Sequence, residues 1–186
     1  MNHAVRRLES SGGRVTAVHA ETPDGPKVFE AEHVISTMPI RSLVRALDPS
    51  APAAVSSAAE GLRYRDFLTV ALILNREHLF PDNWIYIHTP GVKVGRIQNF
   101  NNWSAAMVPM KGATCLGMEY FCFKGDGLWN SSDADLVAQA SRELDALGLA
   151  SAKDVIDGTV IRTPKAYPIY DSAYRGHLDT VRAYLD

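Results

Sequence analysis

The residue whose type and position best suggest chemistry is Glu119, a carboxylate inside an apolar run. A strand is predicted from Thr114 to Phe123, and alternation along it places Glu119 on one face with Cys115, Gly117, Phe121 and Phe123. Because both strand faces are apolar, we expect this carboxylate to be partly buried and to need a cationic or hydrogen-bonding partner. Arg96 and Arg162, each in a predicted strand, are the candidate partners. Such a pair can fix the register of a sheet or line a substrate site, and both roles stay open.

A second group of candidate residues lies between Arg162 and Tyr170. Two prolines stiffen this segment, so Tyr167 and Tyr170 would be displayed at a low cost in conformational entropy, as binding sites favour. A third cluster is more typical of a turn-rich loop over the core than of a pocket; it consists of Asn99, Asn101, Asn102 and Trp103.

Several other kinds of site are excluded by motif or spacing. The sequence has no G-x-S-x-G elbow, no G-x-x-x-x-G-K-[ST] loop and no H-E-x-x-H pair, and its six histidines lack metal-ligand spacing. We therefore expect no metal site. Cys115 and Cys122 are seven residues apart in one strand, so their side chains point to opposite faces and cannot form a disulfide there.

Composition narrows the class of protein further. The 186 residues are 46% hydrophobic and carry a net charge of −2 with both signs mixed, so disorder and a basic nucleic-acid surface are poor interpretations. No apolar stretch reaches about 18 residues, so no membrane span is predicted. Two structural thiols and a polar N-terminus indicate a cytoplasmic protein.

The elements that must position these residues follow from apolar periodicity and turn chemistry. A hairpin is predicted from strands at 14–21 and 27–36, followed by a helical pattern at 40–47 and a helix at 52–61. Later segments are predicted as strands at 67–74, 84–88, 94–100, 114–123 and 155–162, a helix at 133–147 capped by Ser132, and a last helix from a Ser172 cap to Leu185. The short spacing favours antiparallel neighbours. The predicted fold is α+β: a mixed, largely antiparallel sheet of four to six strands, helices on one face, and an N-terminal β-hairpin.

Three stretches in this order resemble a known superfamily. The sequence Ala31-Glu32-His33-Val34-Ile35-Ser36-Thr37-Met38-Pro39 is similar to the return into the FAD domain of amine-oxidase-like and protoporphyrinogen-oxidase-like flavoproteins. The segments 82–86, 95–100 (Gly-Arg-Ile-Gln-Asn-Phe) and 166–171 (Ala-Tyr-Pro-Ile-Tyr-Asp) resemble its UDP-galactopyranose-mutase-like branch. The resemblance spans nearly the whole chain.

Two features of that superfamily are missing from this sequence. It has no G-x-G-x-x-G turn for the FAD pyrophosphate, and no Gly-rich FAD-contacting segment follows the last predicted helix. The resemblance therefore implies an internal fragment. Residues 1–47 would be a stub of the FAD-binding domain, 48–170 a substrate-binding domain, and 171–186 a helix returning toward the FAD domain.

The resemblance also implies roles for particular residues. Thr37, Met38 and Pro39 would lie near FAD in the full-length protein, with no FAD bound to this chain alone. The wall facing the substrate or the flavin would include Arg96, Arg162, Tyr167 and Tyr170, with Arg162 best suited to an anionic group. No residue is nominated as a general base or nucleophile.

The function implied is the substrate-binding portion of an FAD-dependent oxidoreductase, amine oxidase-like or UDP-galactopyranose mutase-like, that is catalytically incomplete alone. Its partner would be a small-molecule substrate. The alternative is a free-standing or self-associating ligand-binding module without a cofactor, including a homodimer formed through surface that a missing domain leaves open.

Overall fold

The computed structural model describes residues 2–108 and 110–186, whose contacts divide into two compact units. The first unit runs up to Arg63 and includes Pro168–Asp186, and the second spans Tyr64–Tyr167. The predicted division into domains at 1–47, 48–170 and 171–186 stays a prediction.

The described residues form nine strands and six α-helices, which are numbered here in chain order. The strands are β1 Ala4–Ser11, β2 Arg14–Thr22, β3 Gly25–Glu30, β4 Leu47–Asp48, β5 Tyr64–Leu74, β6 Trp84–Tyr86, β7 Arg96–Asn99, β8 Thr114–Cys122 and β9 Val155–Pro168. The helices are α1 Ile40–Ala46, α2 Ala53–Gly61, α3 Phe100–Trp103, α4 Gly127–Asn130, α5 Asp133–Ala146 and α6 Tyr174–Leu185. The predicted α+β class is confirmed.

The first unit contains a four-stranded mixed sheet in the order β3-β2-β1-β4, with β1 and β4 parallel. Gly12 and Gly13, both at positive φ, form the turn from β1 to β2. Sequence patterning missed β1 because all of its side chains are exposed except the buried Leu8 and the partly buried Ser10, so no apolar alternation marks it.

The predicted strand at 27–36 is wrong at its carboxyl end. β3 stops at Glu30, where its pairing with Ala17 of β2 ends, and residues 31–39 lie outside regular elements. The apolar pair Val34-Ile35 that suggested a longer strand is exposed, with Ile35 at 93%.

A small apolar core joins the helices of the first unit. Val44 of α1, Val55 and Ala59 of α2, and Val181 of α6 are buried together. The predicted cap of α6 is wrong, since this helix begins at Tyr174, after Ala173, and no side chain caps it.

The second unit contains a five-stranded sheet in the order β6-β7-β8-β5-β9. The pairs β6–β7, β7–β8 and β8–β5 are antiparallel, as predicted from the short connections. Helix α5 covers one face, where Leu136, Ala140 and Leu144 are fully buried against alternate residues of β5 and β8. The side chain of Ser132 caps α5 by accepting a hydrogen bond from the N–H of Asp135, as predicted.

Among the described residues, no helix is both long and apolar enough to span a membrane.

Candidate functional site

The opposite face of the five-stranded sheet concentrates polar and aromatic side chains, and we refer to it as the aromatic face. Register defines its rows: Tyr86, Arg96, Glu119 and Thr69 lie side by side across four strands. The neighbouring row consists of Trp84, Gln98, Gly117 and Ala71. Phe67 and Phe121 form a further pair on the same face.

At the centre of the aromatic face, Glu119 is 1% exposed and holds two side chains of β7. Its Oε2 accepts a hydrogen bond from Nε of Arg96, and its Oε1 accepts one from Nε2 of Gln98. The bond to Glu119 is the main cause that raises the pKa of Arg96, so this guanidinium stays charged. Of the two partners predicted for Glu119, Arg96 is the one observed.

Aromatic rings flank the Arg96 guanidinium. Its Cζ lies 5.8 Å from the ring centre of Tyr86, and its Nη2 is 3.4 Å from the hydroxyl of Tyr167. The Tyr167 ring also packs against Phe67 and Phe121, with centroids 5.9 and 6.1 Å away. Tyr167 and Arg96 are therefore brought together, as the sequence proposed, in one aromatic and cationic surface.

The aromatic face includes residues that sequence reasoning did not assign to a site. Trp84 stacks on Trp103 with ring centres 5.4 Å apart, and both are exposed. Phe100 packs on the sheet at Gly117, where an added Cβ would lie 3.0 Å from its ring. Alternation along β5 and β8 could have placed Phe67 and Phe121 on this face. The Trp84–Trp103 stack could not be found in this way, because it depends on how α3 packs back onto the sheet.

The neighbouring asparagines have structural roles, as predicted for this loop. Asn101 donates to the carbonyl of Ala113 and accepts from the N–H of Cys115. Asn102 donates to the carbonyls of Phe80 and Asp82. These bonds hold α3 against the start of β8 and against the segment that precedes β6.

Arg162 differs from Arg96, because its donor nitrogens all bind groups in or between α4 and α5. Its Nε and Nη2 donate to the carbonyls of Trp129 and Ser131, 3.1 and 2.7 Å away. Its Nη1 is 2.5 Å from Oδ1 of Asp133. These contacts join β9 to α4, to Ser131 and to the start of α5. The predicted anion-binding role of Arg162 stays a prediction.

A buried carboxylate on the other side of the sheet performs a similar structural task. Glu143 of α5 accepts hydrogen bonds from the N–H groups of Lys93 and Val94 and from the hydroxyl of Tyr120. Burial, with the nearby charge of Glu143, raises the pKa of Tyr120. Tyr120 is therefore a neutral donor in the core rather than a candidate acid or base.

The remaining predicted site residues lie in the first unit. Tyr170 is exposed and packs edge-on against Tyr174, with centroids 4.8 Å apart. Thr37 is exposed, Met38 is half-buried, and Pro39 directly precedes α1, where its carbonyl accepts the N–H of Ser42.

The segment 31–39 is open enough to contact a large ligand such as FAD. Residues 32–37 are exposed and lie outside regular elements, so side chains and backbone there are accessible to a ligand. No glycine-rich turn in the sequence would hold a pyrophosphate. Exposure of residues 32–37 would allow contact with FAD, and the place of Thr37, Met38 and Pro39 near the cofactor stays a prediction.

Comparisons with known proteins agree with this fold. A family profile described as "Flavin containing amine oxidoreductase" matches residues 1–175. No curated protein matches the chain.

Two solved structures share the fold. A reduced UDP-galactopyranose mutase superposes with a TM-score of 0.74 at 17% identity, over 99% of this chain and 39% of that one. A structure described as a protoporphyrinogen oxidase from Exiguobacterium sp. 255-15 gives a TM-score of 0.65 at 17% identity, over 97% of this chain and 39% of that one. The chain thus spans well under half the length of either protein.

Proposed function

Because the chain belongs to the family of flavin-containing amine oxidoreductases, we propose that it carries the substrate-binding portion of an FAD-dependent oxidoreductase. In this proposal the predicted substrate-binding region, residues 48–170, presents the aromatic face to the substrate. Residues 1–47 belong to the FAD-binding part, with Thr37, Met38 and Pro39 near the cofactor.

The arrangement of Arg96 and Glu119 is the observation that carries this proposal. A carboxylate that is 1% exposed and held by two polar side chains is costly to place in a sheet, and it fixes one guanidinium among exposed rings. Rigid aromatic surfaces with a few fixed polar groups are typical of small-molecule sites. Arg96, Tyr86 and Tyr167 would therefore orient a substrate.

In this proposal the chemistry is divided between cofactor and protein. FAD, when bound, would supply the electron transfer, as flavins do. The residues of this chain bind and orient the substrate, and the aromatic side chains exclude water from one side of it. The chain alone would be catalytically incomplete, since its 186 residues include no G-x-G-x-x-G turn.

Thermal-shift measurements on the purified chain test the proposal. The compounds would be FAD, benzylamine, UDP-galactose and coproporphyrin, which cover the cofactor and three substrate classes. We expect no stoichiometric flavin and a shift with at least one substrate-class compound. The shift should be lost in Tyr167→Ala and retained in Tyr184→Ala, because both tyrosines are 42% exposed and only Tyr167 lies on the aromatic face.

Two outcomes would contradict the proposal. A chain that purifies with one yellow flavin per molecule would contain a complete FAD site and would not be the substrate-binding portion alone. A compound whose binding is unaffected by Tyr167→Ala and by a second variant, Tyr86→Ala, would bind away from the aromatic face.

A further inference from the structure

The two arginines that the sequence singled out, Arg96 and Arg162, already have partners within the second unit. Arg96 is paired with buried Glu119, and Arg162 is paired with Asp133 and with two carbonyl groups. A paired guanidinium attracts an anionic ligand less than an unpaired one, because the neighbouring carboxylate offsets its field. An acidic ligand would therefore find a stronger partner elsewhere on this surface.

Arg65 is such a partner and lies on the aromatic face. It precedes Phe67 by two residues in β5, so both side chains lie on the same side of the sheet. Its Cζ is 5.8 Å from the ring centre of Phe121 and 5.9 Å from that of Phe123. Stacking on two rings holds the guanidinium in place while leaving it exposed.

The backbone around Arg65 is fixed by its neighbour Asp66, whose side chain lies on the opposite face of β5. The carboxylate of Asp66 accepts the backbone N–H of Lys124 at 2.5 Å and that of Lys165 at 2.7 Å. Both bonds tie the ends of β8 and β9 to the beginning of β5. These bonds fix the corner of the sheet where Arg65 lies, at the start of β5.

The carboxylates near this corner are engaged with the backbone. Asp66 accepts the two backbone N–H groups given above. Asp126 accepts the N–H groups of Phe123 and Trp129, at 2.9 and 2.7 Å. Within residues 2–108 and 110–186, neither carboxylate forms an ion pair with Arg65, Lys124 or Lys165. The corner thus presents the Arg65 guanidinium beside the exposed rings of Phe121 and Phe123.

We propose that this corner binds the acidic group, a carboxylate or a phosphate, of a ligand whose planar apolar part lies on Phe121 and Tyr167. Arg65 is the principal contact, because a guanidinium can bind either acid with two parallel hydrogen bonds. The inference rests on the proposed function, since it assigns the class of substrate that the aromatic face takes: a planar aromatic acid.

Titration calorimetry with three probes tests this inference on the whole chain. The probes are 2-naphthoate, 1-naphthyl phosphate and the neutral 2-naphthalenemethanol. We expect at least one acid to bind about tenfold more tightly than the alcohol, and its affinity to fall as NaCl is raised. Whether the carboxylate or the phosphate binds more tightly identifies the acid.

Substitutions locate the contact. Arg65→Gln should reduce the acid to the affinity of the alcohol, whereas Arg142→Gln, at an exposed arginine of α5, should leave the preference unchanged. Arg65→Lys should retain part of the preference because it keeps the charge. Thermal melting of each variant confirms that it is folded.

Three outcomes separate this inference from the proposed function. Equal binding of acids and alcohol, lost in Tyr167→Ala, overturns the acid site and leaves the aromatic face as the ligand surface. An acid preference that survives Arg65→Gln overturns the role of Arg65. No binding by any probe overturns the acid site and leaves the proposed function to be decided by the four compounds of the thermal-shift test.

Discussion

Glu119 shows how one residue connects the stability of this sheet with its candidate site. Its carboxylate holds Arg96 and Gln98 in a row of the aromatic face and is almost inaccessible to solvent. Removing its charge by Glu119→Gln leaves the partly buried Arg96 guanidinium without its counterion. We expect the free energy of unfolding to fall by about 2 kcal/mol, measured by urea denaturation.

The matched control is Glu77→Gln, which changes an exposed carboxylate of the same unit and should alter stability by less than about 0.5 kcal/mol. Adding Arg96→Gln to Glu119→Gln should cost less than the sum of the two single changes, because the two side chains interact directly. A Glu119→Gln variant as stable as the parent would mean that the pair contributes nothing to the fold.

The same residue marks what sequence reasoning can and cannot predict about a site. Alternation along β8 placed Glu119 among apolar neighbours, so its burial and its need for a partner followed from the sequence alone. Choosing Arg96 over Arg162 required the strand order, because β7 lies next to β8 whereas Arg162 in β9 lies beyond β5. The stacked Arg65 gave no sequence signal, since an exposed arginine at the start of a strand is ordinary.

At the scale of elements, long apolar runs were predictable and exposed strands were not. β5 was identified because its sequence is nearly continuously apolar, and α5 because its apolar side chains recur with helical periodicity. β1 and the true end of β3 were missed because their residues are mostly exposed, so only the hydrogen bonds to β2 define them. Strands held mainly by backbone pairing leave little trace in side-chain patterns.

Packing of α5 on the sheet gives a prediction at this scale. Gly158 of β9 lies under Val137, and an added Cβ would stand 2.8 Å from Cγ1 of that valine and 3.3 Å from the carbonyl oxygen of Ala71. Valine has little rotamer freedom in a helix, so the strain is not easily relieved. Gly158→Ala should lower the free energy of unfolding by about 1–3 kcal/mol in chemical denaturation.

Two companion variants make this prediction specific. Val137→Ala in the Gly158→Ala background should recover part of the loss, because it removes the contacting methyl groups. Gly176→Ala lies inside α6 with no atom within 4 Å of the new Cβ, so it should raise stability by about 0.5–1 kcal/mol. Equal losses for the two glycine substitutions would show that backbone effects, and not the contact with Val137, explain Gly158.

At the scale of the whole molecule, exposed apolar side chains of the first unit predict self-association. Val28, Phe29 and Ile35 are all exposed, and Ile35 is almost fully accessible to solvent. Val28 and Phe29 are successive residues of β3 and point to opposite faces, so Ile35, at 93% exposure, is the side chain most able to pack against a second copy. Light scattering of the chain over a wide range of concentrations should therefore give an average mass that rises above that of the monomer.

Ile35→Lys should suppress this rise without affecting the fold, because the side chain makes little contact within the chain. Ile156→Lys provides the control, since Ile156 is half-exposed on β9 in the other unit. If association depends on the surface around Ile35, only the first substitution restores the monomer mass. A constant monomer mass at every concentration would instead show that these exposed side chains do not drive association. The predicted homodimer would then be excluded.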